Sequence, residues 1–220
     1  MKKLIVLIAA IFAMGTMNMM CQQIVAKADS VQFRVAGEVQ VASKNISIAT
    51  GVVFEDAPAL IGHANAGIQY KKFGASVLIM SQKSLTKSQT TYNLVDFIGS
   101  YKVTDELTLS IGYELTHWDY QEGEDEVGNN FVWMVTWTKN KVAATGIVFK
   151  GANFIYLISS VNYRLMDHVS VSCLIGYTNT MNTKIYGMAG LNLSYGKASL
   201  GIYPSISDNP GITVNGAFKF

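Results

Sequence analysis

Large apolar residues and small or polar residues alternate along most of this chain. Leu107, Leu109, Ile111, Tyr113 and Leu115 are separated by Thr108, Ser110, Gly112, Glu114 and Thr116. The same period of two runs through Val95, Phe97, Gly99, Tyr101 and Val103. It returns in Val169, Val171, Cys173, Ile175 and Tyr177, and again from Ile185 to Tyr195. Successive side chains of a strand point to opposite faces, so each segment reads as a strand with one apolar and one polar face. Candidate strands fall at 31–41, 45–54, 62–71, 74–81, 91–103, 106–117, 130–138, 142–150, 153–165, 168–179, 183–195, 197–204 and 211–220. Tight connections near Lys72-Phe73-Gly74, Thr104-Asp105-Glu106, Lys139-Asn140-Lys141, Met166-Asp167-His168 and Gly196-Lys197 alternate with looser, more polar ones. The looser stretches include Glu55–Ile61, Ser81–Thr90, Trp118–Asn130 and Ser205–Pro210.

Short turns at one end and longer loops at the other are the pattern of transmembrane β-barrels. Hydrocarbon offers no hydrogen bonds, so a sheet crosses a bilayer only by closing on itself. A soluble sandwich or lipocalin-like barrel also alternates, but its outer face needs many charges. Here the polar face is mostly Ser, Thr, Gly and Asn. Composition agrees: 50% of the residues are hydrophobic and only 15% charged, against about 25% charged in a typical soluble domain. The apolar face carries Tyr101, Trp118, Trp137, Tyr163 and Tyr195 near segment ends, the positions of interfacial aromatic girdles. The chain closes on an alternating strand with Phe218 and Phe220. In that ending it resembles the small bacterial outer-membrane β-barrels, whose terminal strand with its C-terminal Phe acts as an assembly signal. The fold expected is all-β: a closed, antiparallel, up-and-down transmembrane barrel of about twelve strands, ten to fourteen being possible. Thirteen segments conflict with the even number usual for bacterial barrels. Because the last twelve place every tight turn on one side, 31–41 is expected to be the odd segment.

The N-terminus adds a destination. Met1-Lys2-Lys3 precedes an apolar run from Leu4 to Met14, long enough for a signal-peptide core and too short for a spanning helix. Ala26-Lys27-Ala28 fits a cleavage site, dividing the chain into a signal peptide (1–28) and a barrel (29–220). Cys21 raises a lipoprotein alternative, weakened by Asn18, Met19 and Met20 where a small residue is wanted. Removing Lys2, Lys3 and Lys27 from 17 basic residues leaves 14 against 15 acidic. No electrostatic footprint for nucleic acid is present. Only Cys173 follows the cleavage site, so no internal disulfide is expected. Location in the outer membrane of a diderm bacterium follows. The partners implied are outer-membrane lipid, the periplasmic chaperones and barrel-assembly machinery during biogenesis, and, on the accessory-subunit alternative, other outer-membrane proteins.

Chemistry must come from the inward face. A three-residue turn at Thr104–Glu106 places Asp96 opposite Glu114 across one rung. Two carboxylates there need a cation, a shared proton or bulk water. Arg34, Lys102 and Arg164 are the candidate lumen charges, with Lys71 and Lys219 also at inward parity. One reading is a charged constriction; the other is an ion-pair network filling the interior. Inward Leu78, Met80, Val132 and Met134 imply that part of the lumen is packed. The acidic run Glu122–Glu126 lacks the spacing of a Ca²⁺ loop. Some outer-membrane barrels are hydrolases or lipid A-modifying enzymes. His63, His117 and His168 are the only histidines, and only His117 with Asp119 and a nearby hydroxyl offers a dyad. No nucleophile motif, zinc spacing or phosphate loop is present, so neither enzyme activity nor a cofactor or metal is expected. The expectation is a non-enzymatic barrel, a narrow porin-like channel for small solutes. A closed accessory subunit of a larger outer-membrane complex is the alternative.

Overall fold

The alternating segments form strands throughout a computed structural model of the chain, which describes residues 31–43, 45–46, 53–55, 57–85, 91–119, 126–179, 185–206 and 211–220. The expected signal peptide, Cys21 and acidic residues 122–125 lie outside them. The strands are β1 (Gln32–Ala42), β2 (Asn45–Ile46), β3 (Val53–Glu55), β4 (Ala59–Tyr70), β5 (Phe73–Ser84), β6 (Thr91–Lys102) and β7 (Leu107–Asp119). They continue with β8 (Glu126–Lys139), β9 (Val142–Lys150), β10 (Ile155–Met166), β11 (Val169–Thr178), β12 (Ile185–Tyr195), β13 (Ala198–Ile206) and β14 (Gly211–Lys219). Twelve of them close an antiparallel barrel in the order β1-β14-β13-β12-β11-β10-β9-β8-β7-β6-β5-β4.

The strand count matches the expectation, but the odd segment is a different one. β1 is a full barrel strand, paired with β4 from Gln32↔Gln69 to Ala42↔Ala59 and with β14 from Glu38↔Lys219 to Ala42↔Asn215. The strands outside the barrel are β2 and β3, which fall where a strand was expected at 45–54 and pair only with each other. Two or three residues are too short to cross a bilayer, which needs about 9–11 per strand. The seam is completed by Gly37 and Phe220, whose backbones exchange hydrogen bonds of 3.1 and 2.9 Å.

Four of the five tight turns have a visible local cause. Lys71 (φ 52°), Asn140 (φ 51°) and Gly196 (φ 57°) adopt the left-handed conformation that reverses the chain within two residues. Between β6 and β7 the Thr104 hydroxyl accepts hydrogen bonds from the backbone N–H of Glu106 and Leu107, at 3.2 and 3.0 Å. Several strands run further than the alternation alone indicated. β8 starts at Glu126, β4 at Ala59, and β13 continues through Pro204 to Ile206. The loop-end connections are correspondingly shorter.

Outward positions carry exposed Phe73, Phe97, Ile111, Trp133, Ile175 and Ile212, an apolar belt of the kind expected of a barrel that faces hydrocarbon. Tyr101, Trp137, Tyr163 and Tyr195 lie on this face near the tight-turn rim, and Phe218 joins them. Trp118 does not. It shares the parity of Glu114, faces the lumen and stacks on Tyr92 with ring centroids 4.2 Å apart. The apolar run of β7 ends at Leu115, so a residue three positions on falls on the opposite face.

Candidate functional site

The lumen divides along its length. Toward the tight turns its wall is built of Gly67, Gly74, Ser76, Ser100, Ser110, Thr145, Ser172, Ser199 and similar small residues. Side chains this short leave open space. One recess of about 280 Å³ is lined by Arg34, Asn65, Gln69, Ser76 and Ser100. Toward the long loops the inward side chains are large. Ala42, Ala59, Ile61, Met80, Tyr92 and Leu94 form one buried cluster, and Val132, Phe149, Ile158 and Tyr186 another. Met188 on β12 packs against the first cluster, whose members lie on β1, β4, β5 and β6. That contact crosses the lumen. Tyr92 on β6 and Tyr156 on β10 are likewise within electrostatic reach of each other.

Two glycines make room for large inward side chains, Gly176 in the packed level and Gly190 below it. A Cβ on Gly176 would lie 2.3 Å from the ring of Tyr186, and one on Gly190 would lie 2.2 Å from the ring of Tyr203. Each tyrosine therefore lies flat on a glycine of the neighbouring strand. Tyr186 is 1% exposed, while Tyr203 donates its hydroxyl hydrogen to Asn192 Oδ1. Asn192 Nδ2 in turn donates to Ser172 Oγ at 3.1 Å.

At the lower edge of the packed level Leu78, Asp96, Glu114 and Asn130 occupy one rung across β5–β8. Asp96 is 8% exposed, Glu114 5% and Asn130 4%. Asn130 Nδ2 donates to Glu114 Oε1 at 2.5 Å, and the two carboxyls are within hydrogen-bonding contact of each other. Among the described residues, no basic side chain pairs with either acid.

The candidate basic residues lie elsewhere. Lys102 is on the strand of Asp96 but six residues away, roughly 20 Å at about 3.3 Å per residue. It pairs with the turn residue Asp105 at 3.2 Å. Arg34 leans on Gln32 (3.5 Å) and lines the recess near the tight turns, and Arg164 is exposed one residue from the end of its pairing with β9. Lys71 is in a turn, 5.3 Å over the Tyr70 ring. Lys219 reaches Glu38 at 3.7 Å, and Glu38 also accepts from Gln40 Nε2. The basic residues thus gather near the tight-turn mouth, away from the acidic rung.

Among the described residues the three histidines lie apart. His63 is inward on β4, His117 is at outward parity on β7, and His168 is on a tight turn. Sequence reasoning singled out Asp96 and Glu114 but missed Asn130, Tyr92, Tyr156 and Tyr186. Their alternation was visible; their convergence depends on barrel curvature. Sorting inward residues by distance from the tight turns would have exposed the cluster.

No protein-family profile matches the chain, and no curated protein resembles it closely enough to match. Solved structures do. The KdgM porin in complex with disordered oligogalacturonate superposes with a TM-score of 0.57 at 8% identity, covering 84% of this chain and 98% of that one. KdgM porin alone gives 0.54 at 9% identity over 84% and 98%. A chain from work on the in-meso crystallization of membrane proteins gives 0.55 at 8% over 84% and 83%. At such identities the likeness concerns architecture. The chain has the fold of an outer-membrane, porin-like β-barrel of twelve strands.

Proposed function

We propose that this protein is a narrow, non-enzymatic channel for small polar solutes in the outer membrane of a diderm bacterium. It would be exported by residues 1–28 and folded from residues 29–220 with the help of periplasmic chaperones and the assembly machinery. The observation that carries this reading is the graded lumen: an entrance of mostly polar and small side chains leading to a level that includes large apolar ones. Its porin-like fold supports it. A barrel of this size made purely as a scaffold has no need of a polar, open half. The cross-lumen contact of Met188 sets a small cut-off, and the acidic rung disfavours polyanions. The chain's solute then differs in charge from the oligogalacturonate bound by KdgM porin.

A second reading, a closed accessory barrel, draws on the same packed level. Liposome swelling separates the two. Vesicles carrying the folded protein should swell in small uncharged solutes such as glycerol and fail in disaccharides. Vesicles that stay silent toward every solute would overturn the channel in favour of the closed barrel.

A further inference from the structure

The tight-turn end of the barrel is its basic end. Among the described residues, Lys83 and Lys150 are the basic side chains toward the loops; the others sit on the tight turns or the strand ends beside them. The acids of this end are engaged: Asp105 with Lys102 (3.2 Å), Glu106 with Lys139 (3.1 Å) and Glu38 with Lys219 (3.7 Å). Lys71 and Lys72, consecutive in the β4–β5 turn, have no acidic partner among the described residues. Lys71 Nζ stands 5.3 Å from the centroid of the Tyr70 ring. Lys72 Nζ donates to the Val103 carbonyl at 3.4 Å. The two ammonium groups therefore spread along the rim, one toward Tyr70 and the other toward the turn that follows Tyr101. Beside them is an aromatic shelf. Tyr70, Phe73 and Tyr101 pair across β4, β5 and β6 on a single outward rung. The Phe73 and Tyr101 ring centroids are 5.0 Å apart, and all three rings are exposed, Phe73 by 65%.

We infer that Lys71 and Lys72, with the shelf Tyr70–Phe73–Tyr101, form a headgroup site for an anionic phospholipid in the leaflet on the tight-turn side. The shelf and the lysines ask for different parts of one ligand. Rings on the outward face meet glycerol and acyl chain at the interface, while a phosphate answers the two ammonium groups just beyond them. A soluble anion would use the lysines and leave the rings uncovered. A zwitterionic headgroup would bring an ammonium of its own into the same positive field. The site rests on the membrane placement proposed above and is independent of conduction.

The test uses the full folded barrel, its Lys71→Gln/Lys72→Gln variant, and Lys139→Gln/Lys141→Gln as a control at the β8–β9 turn; heat-modified gel mobility confirms folding. Each protein is held in micelles with equal amounts of phosphatidylglycerol and phosphatidylcholine of matched acyl chains, and retained lipid is counted by native mass spectrometry. Wild type and the control should retain phosphatidylglycerol with about tenfold preference or more, and Lys71→Gln/Lys72→Gln should lose most of it. Phe73→Ala should weaken both lipids alike. No preference in wild type, a preference that survives in Lys71→Gln/Lys72→Gln, or one lost equally in the control overturns the site. Glycerol phosphate that displaces the lipid at equal concentration would make the ligand a soluble anion and overturn the lipid. Failure of wild type to enter phosphatidylcholine vesicles, followed by flotation, would instead overturn the membrane placement. If Lys71→Gln/Lys72→Gln does not fold, Lys71→Asn/Lys72→Gln replaces it, since asparagine suits the left-handed turn at φ 52°. Should that fail too, the wild type decides in high salt: a preference that salt does not reduce overturns the site.

Discussion

The two halves of the lumen are made by the same twelve strands and the same alternation, yet they differ in everything that follows from side-chain size. Near the tight turns many inward residues are small, such as Gly67, Gly74, Ser76, Ser100 and Ser110, with Arg34, Gln69, Lys102 and Lys219 at the mouth. Near the loops they are Ile61, Met80, Leu94, Phe149, Tyr156 and Tyr186. One strand shows the change: on β4 the inward series runs from buried Ala59 and Ile61 to the more exposed Asn65 and Gln69. Barrel radius is set by strand number and stagger, so it cannot produce this difference. The choice of inward side chains does. The inward side chains alone can therefore grade a barrel's lumen along its depth, without a separate plug.

Substitutions matched across the two levels test this contrast. The largest effect is expected for Tyr186→Ala, which empties a fully buried aromatic position and should cost about 3–5 kcal/mol in chemical denaturation of the lipid-embedded barrel. Next comes Gly176→Val, whose side chain must displace the ring of Tyr186; overpacking of this kind costs about 1–3 kcal/mol. In the open half, Ser172→Ala removes the acceptor of the 3.1 Å bond from Asn192 and should cost about 0.5–1.5 kcal/mol by the same measurement. The smallest effect belongs to the rim. Glu106→Gln breaks the 3.1 Å ion pair with Lys139, and for side chains this exposed the loss should be about 0–1 kcal/mol and should shrink in high salt. If Tyr186→Ala proved no more damaging than Ser172→Ala, the two levels would not differ in packing.

Much of the fold was legible in the sequence because period-2 alternation reports a face directly. The register that sets Asp96 opposite Glu114 follows from the turn at Thr104–Glu106 and parity alone. Alternation says nothing about which strand closes the ring. Segment 45–54 reads as a strand, but β1 already fills the gap between β14 and β4. Nor does parity survive a careless extension: Trp118 looks like a girdle residue by composition and lies in the lumen by count. The basic residues were placed on the correct face and at the wrong depth for the acids. Face is a local property; depth requires knowing the turns at both ends of each strand. The cross-lumen contact of Met188 and the approach of Tyr156 to Tyr92 relate strands that are not neighbours, and only closure of the barrel brings them together.

Single-channel conductance of the wild type and of the Met188→Ala/Tyr156→Ala double variant, recorded in one planar bilayer system at high salt, tests the graded lumen most directly. The account predicts small, discrete steps in the wild type that grow several-fold when these two inward side chains are truncated. Steps of equal size in both proteins would place the limiting constriction elsewhere and contradict it.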